Sequence, residues 1–110
     1  MASLRSLDDR VIAFAQWFVR TLQAAGVNVT VTSTRRSMAE QQRLWDNYQA
    51  GRSRYPAARP GTSQHGLGLA FDLHLDPPVY AAAGRLWESF GLTWGGRFND
   101  EIHFDFRRRA

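Results

Sequence analysis

At 110 residues, with 44% apolar and 13% aromatic side chains, the chain is sized for one compact domain over residues 1–110, not for disorder. It has no cysteine, which excludes disulfides and thiolate metal sites, so a transition metal has to be held by His, Asp or Glu. Its formal charge is +4 with every basic residue an arginine, which favours anionic partners, yet there is no zinc-finger spacing and no aromatic–basic interleaving of a nucleic-acid binder.

The first twenty residues, MASLRSLDDRVIAFAQWFVR, are broken by Asp8, Asp9 and Arg10 where a secretory signal needs an apolar core. Neither a signal peptide nor a membrane span is expected. Ser6-Leu7-Asp8-Asp9 has the form of a capping box. It predicts a first helix whose Val11, Phe14, Ala15, Phe18, Val19 and Leu22 face a core until Gly26 ends it. Residues 27–34, VNVTVTST, alternate as a strand does. Ser37-Met38-Ala39-Glu40 is a second capping box, opening a helix to about Ala50 that Gly51 closes. Residues 52–62, rich in Arg, Pro and Gly, form the longest irregular stretch, and long loops in compact domains are often functional.

Residues 67–75 predict a strand with Leu69, Phe71, Leu73 and Leu75 on one face and Ala70, Asp72 and His74 on the other. Pro77 and Pro78 start a third helix that contributes Tyr80, Leu86, Trp87 and Phe90 to the core before Gly91. Trp94-Gly95-Gly96 reads as a turn. Residues 101–106 form a last strand, alternating Ile102, Phe104 and Phe106 against Glu101, His103 and Asp105. The order is that of an α+β fold whose last two strands can pair antiparallel. The tail Arg107, Arg108, Arg109 reads as a solvated terminus, with a docking patch as the alternative.

The segment SQHGLGLAFD sets a histidine, two glycines and an aspartate into an otherwise apolar strand. If the strands carrying Asp72 and His103 are neighbours, His65, Asp72 and His103 converge on one point. Two imidazoles and a carboxylate make a zinc site with an open fourth position, and a divalent cation would neutralise a buried Asp72. Gly66 and Gly68 would let the backbone fold His65 back toward Asp72. The competing reading is a hydrogen-bonded histidine in a turn beside an ion-paired aspartate. His74 shares the face of Asp72 and is either a further partner of the site or a polar strand position.

These residues carry a resemblance. Ser63-x-His65-x-x-Gly68-x-Ala70-x-Asp72, followed by Trp94-Gly95-Gly96 and Asp100-x-x-His103-Phe104, resembles the zinc D-alanyl-D-alanine carboxypeptidases of VanY type. That family includes the vancomycin-resistance peptidases and the phage L-alanyl-D-glutamate endolysins. Ser33-Thr34-Arg35-Arg36-Ser37 with Gln41 is similar to its first motif, with Thr34 and Arg35 standing where the family has Gly and an aromatic residue. The resemblance runs from about Val29 to Phe106.

It implies a small antiparallel sheet carrying a zinc site and packed on about three helices, the Hedgehog/D-Ala-D-Ala peptidase-like fold. It implies one Zn2+ per chain held by His65, Asp72 and His103, with Asp100 as general base and Glu101 as the competing candidate. Arg36 would meet the substrate carbonyl or the oxyanion, and Ser63 and Gln41 would take supporting or substrate-carboxylate roles. The substrate implied is a peptidoglycan stem peptide, and the partners exclude nucleic acid. Small size and the Asp-x-x-His spacing rank an L-alanyl-D-glutamate endopeptidase of endolysin type above a D,D-carboxypeptidase. The alternative of another class is a non-catalytic virion protein that keeps the fold. The endolysin branch further implies a monomer made in the cytoplasm, phage-encoded, and released by a holin or carried on a virion to act at the cell wall or periplasm.

Overall fold

The computed structural model describes residues 2–109. Among them are helices α1 (Ile12–Ala24), α2 (Met38–Gln49) and α3 (Tyr80–Glu88), and strands β1 (Thr30–Ser33), β2 (Ala70–His74), β3 (Leu92–Trp94) and β4 (His103–Arg108). Short 3-10 turns precede α1 and α3 and follow β3. The strands form one antiparallel sheet in the order β1-β2-β4-β3, so the fold is α+β as the sequence predicts.

The core follows from two periodicities. Along α1 the spacing of Ala15, Phe18, Val19 and Leu22 makes one buried stripe, and Gly26 leaves the helix at φ 86°. Along β2 and beyond it, Phe71, Leu73 and Leu75 alternate onto the same side and are fully buried, as are Phe104 of β4 and Trp87 of α3. Phe18 and Trp87 meet at 4.8 Å between ring centroids, and Phe71 lies edge-on to Trp87 at 5.4 Å. Each such side chain contributes about 1.5–3 kcal/mol by leaving water. The Tyr80 hydroxyl accepts from the Leu75 amide at 2.9 Å and donates to the Leu73 carbonyl at 3.2 Å, which ties α3 to the end of β2.

One local expectation fails for an identifiable reason. The capping box at Ser6 does not form. The Ser6 hydroxyl donates to the Ser3 carbonyl at 2.9 Å and pairs with the Thr34 hydroxyl at 2.6 Å, while Asp8 accepts from Arg10. A tertiary partner beside β1 takes the hydroxyl, and α1 starts later, behind Val11, without a side-chain cap. The second box does form, with the Ser37 hydroxyl accepting from the Glu40 amide at 3.1 Å.

The turn expected at Trp94-Gly95-Gly96 is present, with its first residue in a strand. Trp94 ends a strand, β3, which is too short to show alternation in sequence and exists because β4 offers it an edge, with Trp94 opposite Phe104. The 3-10 turn Gly95–Phe98 follows it. The Trp94 indole donates to the Glu101 carbonyl at 2.9 Å, and its ring is pressed between Gly84 of α3 and Gly96, where a Cβ at either position would overlap it.

Gly84→Ala should therefore lower the melting temperature, although alanine suits a helix better than glycine by about 1 kcal/mol. Overpacking against a fixed ring costs about 1–3 kcal/mol and outweighs that gain. An unchanged or raised melting temperature in a thermal scan would show that Trp94 yields.

Candidate metal centre

The face of the sheet opposite the core carries the polar side chains. Because β2 and β4 pair with Asp72 opposite His103, the two side chains are cross-strand neighbours. His65 arrives from the turn before β2. The Ser63 hydroxyl accepts from the His65 amide at 3.1 Å, and the His65 carbonyl accepts from the amides of Arg36 at 3.1 Å and Gly68 at 3.2 Å. Of the two glycines expected to turn the chain, Gly68 takes the left-handed conformation, φ 72°, and the space beside its Cα is filled by the Arg35 guanidinium and the Asp8 backbone.

The three side chains converge. His65 Nε2 lies 3.1 Å from Asp72 Oδ1 and 3.2 Å from His103 Nδ1, and His103 Nδ1 lies 3.4 Å from Asp72 Oδ1. Ligand atoms bound at roughly 2.0–2.1 Å around a tetrahedral zinc sit about 3.3 Å apart, so the observed spacing fits that ion.

The far side of each group is also held. His65 Nδ1 donates to the Thr34 carbonyl at 2.7 Å, which leaves the Nε2 lone pair facing the cluster. Arg36 Nη2 donates to Asp72 Oδ2 at 2.9 Å. His103 Nε2 donates to Asp105 Oδ2 at 2.7 Å. Asp105 is fully buried and accepts from Arg107 Nη2 at 2.7 Å. The alternation of β4 placed Asp105 on the face of His103, but nothing in sequence marked its burial.

Burial works to raise the Asp72 pKa, but hydrogen bonds from His103 and His65 outweigh it and hold the carboxyl below the usual carboxylate range. Burial likewise opposes the charged form of His103, but Asp105 and Asp72 prevail and push its pKa up to about 9.

A cavity of about 550 Å³ opens in front of the cluster, walled by the 52–62 loop on one side and by Asp100, Ile102 and Phe98 on the other. Arg36, Gln41, Ser63 and Asp100 all line it. Arg36 is engaged three times: with Asp72, with the Ser33 hydroxyl at 3.1 Å and with Gln41 Oε1 at 3.2 Å. Gln41 in turn donates to the Ala58 carbonyl at 2.7 Å, pinning the loop. Burial raises the Asp100 pKa to about 6, with Asp72 and Glu101 adding to the shift and His103 and Arg36 opposing it. Gly95 packs so closely on Asp100 and His103 that a Cβ there would strike both. Glu101 lies outside the cavity wall and reaches Arg54 at 3.5 Å. His74 is exposed at the end of β2, opposite Thr30, and is a polar strand position apart from the cluster.

The family model "VanY: D-alanyl-D-alanine carboxypeptidase" matches residues 4–91, most of the chain. The chain belongs to that family. The matched stretch includes Arg36, Gln41, Ser63, His65 and Asp72, whereas Asp100 and His103 lie beyond it. Solved structures of VanY-type proteins extend the likeness. The vancomycin-resistance D,D-pentapeptidase VanY of a VanB-type cassette, a mutant in complex with Zn(II), is 25% identical with a TM-score of 0.71, over 91% of this chain and 72% of that one. VanYB in complex with D-alanine-D-alanine is 25% identical with a TM-score of 0.72, over 91% of this chain and 71% of that one. The Serratia marcescens L-Ala D-Glu endopeptidase ChiX shares the fold at 24% identity and a TM-score of 0.64, over 94% of this chain and 83% of that one. No curated protein matches the chain significantly by sequence.

A zinc ion held by His65, Asp72 and His103 would have to displace a proton from His103. The ring must be neutral to ligate, so below about pH 9 a proton competes and affinity should fall about tenfold per pH unit. Calorimetry in buffers of different ionisation enthalpy should record close to one proton released at pH 7, and no release would refute a protonated His103. Asp105→Asn should weaken zinc about 10–100-fold in a chelator competition, as loss of a ligand's outer partner does elsewhere.

Proposed function

We propose that the chain is a zinc-dependent peptidase that hydrolyses peptide bonds in peptidoglycan stem peptides at the bacterial cell wall. In this reading residues 1–110 are one peptidase domain, which the common sheet and core of the described residues support, and it acts as a monomer. The observation that carries the proposal is the convergence of two imidazoles and a carboxylate, each held from behind, on a cavity that also contains the half-buried carboxylate of Asp100.

His65, Asp72 and His103 would hold the zinc. When bound, that ion acts as a Lewis acid and lowers the pKa of a water to about 7. Asp100 accepts the proton of the attacking water and returns it to the leaving amine. A carboxyl titrating near 6 suits both tasks. Glu101, paired with Arg54 away from the cavity, is the weaker candidate. Arg36 spends three of its five N–H donors on Asp72, Ser33 and Gln41 and keeps two for the substrate carbonyl as it becomes an oxyanion. Ser63 and Gln41 serve by holding the His65 turn, Arg36 and the loop.

An L-alanyl-D-glutamate endopeptidase of endolysin type is the first choice of bond, resting on the Asp-x-x-His spacing. A D,D-carboxypeptidase is the second, favoured by the family description and by the relative that holds D-alanine-D-alanine. A fully furnished site speaks against a non-catalytic structural protein. Mass spectrometry of muropeptides after incubation with the zinc-loaded protein decides the matter, and intact substrate at full zinc occupancy would defeat the peptidase reading.

Asp100→Asn should lower turnover about 10²–10⁴-fold with zinc content unchanged, while Glu101→Gln should cost far less. The reverse pattern, at matched zinc content, would transfer the base to Glu101. Arg36→Lys should lose most activity, because lysine keeps the charge and not the planar fork.

A further inference from the structure

Beside the catalytic cavity lies a second groove of about 300 Å³, and Phe98 and Arg107 stand in the walls of both. Among the described residues its lining holds four arginines, Arg97, Arg107, Arg108 and Arg109, and one acid, Glu88. The neutralising carboxylates lie beneath the surface. The Glu88 side chain is only 5% exposed, accepts from Arg97 Nη2 at 2.9 Å and has Arg109 Nε at 3.7 Å. Asp105, fully buried, grips Arg107 in the same way.

Each buried acid fixes one edge of its arginine, while the arginine side chains stay about half exposed, 57% for Arg97 and 56% for Arg107. Among the described residues no carboxylate lies within 4.0 Å of Arg108. Arg97 and Arg107 are thus immobilised forks with spare donors, the more loosely held Arg108 and Arg109 lie beside them, and the groove carries excess positive charge. Phe98, 64% exposed, is an apolar step between this groove and the metal cluster.

We propose that this groove is a subsite for a carboxylate of the peptide substrate lying outside the scissile bond. The proposal rests on the peptidase reading and adds to it a reason for the arginine-rich end of β4. A peptide leaving the catalytic cavity crosses Phe98 and Arg107 and presents its acid to Arg97, Arg108 and Arg109. Guanidinium forks match a planar carboxylate. When the bond cut is D-Ala-D-Ala, a stem peptide linked through the D-glutamate side chain carries such a free α-carboxylate two residues before the scissile carbonyl, far enough to reach this groove, whereas cleavage at L-Ala-D-Glu would keep it in the catalytic cavity.

Two probes test it: L-Ala-γ-D-Glu-L-Lys-D-Ala-D-Ala and the same peptide amidated at the D-glutamate α-carboxylate. With the zinc-loaded chain, kcat/KM should favour the acidic peptide about tenfold, mainly through KM, as expected for a charged hydrogen bond. In Arg108→Ala/Arg109→Ala that ratio should fall toward one. In Arg97→Lys, which leaves Glu88 a cation, it should fall only in part. Equilibrium binding of both peptides to zinc-loaded Asp100→Asn reads the same ratio without turnover. Absent cleavage of both peptides with the binding ratio intact would count against the peptidase reading alone. A binding ratio near one in the unsubstituted groove, or a ratio undiminished in the double variant, would overturn the subsite. Tight binding of linear polyphosphate with no discrimination between the peptides would also overturn it, making the groove a polyanion surface.

Discussion

The Asp72 carboxylate divides its two oxygens, and the rest of the site depends on that division. Oδ1 faces the two imidazoles and Oδ2 receives Arg36. A carboxylate this buried is costly unless each oxygen is satisfied, and removing one partner would leave an uncompensated charge. The elements around it are placed accordingly: the His65 turn, the β2–β4 register and the Arg36 segment each deliver one partner to a single point. The bonds behind those partners, to Thr34, Gln41 and Asp105, immobilise them.

The same strands build core and site at once. With a period of two, Phe71 and Leu73 enter the core while Asp72 faces the cluster, and Phe104 enters it while His103 and Asp105 do not. A one-residue slip between β2 and β4 would break the site and the core together. Positioning therefore draws on the free energy of the hydrophobic layer, chiefly the packing of Phe18, Phe71, Trp87 and Phe104, and needs no separate scaffold.

Close backbone approach is the second structural theme. Gly95 under Asp100 and His103, and Gly84 and Gly96 against the Trp94 ring, mark places where a side chain would fill space the site wall requires. In sequence the Trp-Gly-Gly run read as turn chemistry; in the fold its two glycines open a 3-10 turn and also answer to steric contact. Ser6 and Ser37 teach a related lesson, since both open the same kind of box. Among the described residues Ser37 has no rival partner and caps α2, whereas Ser6 meets Thr34, far away in sequence, and is lost to α1.

Local chemistry was readable from the chain alone: the apolar periods of α1 and β2, the cap at Ser37, and a His, Asp, His set with no cysteine competing for a metal. These are properties of neighbours along the chain, where spacing translates directly into a shared face. Only the tertiary structure decided what depends on distant residues meeting. It created β3 by giving three residues an edge to pair with, buried Asp105 behind His103, turned Glu101 toward Arg54 and Asp100 toward the cavity, and set the terminal arginines over two buried acids. Adjacent residues such as Asp100 and Glu101 carry the same charge and nearly the same chemistry in sequence. Burial and partners separate them, and both exist only once the chain has folded.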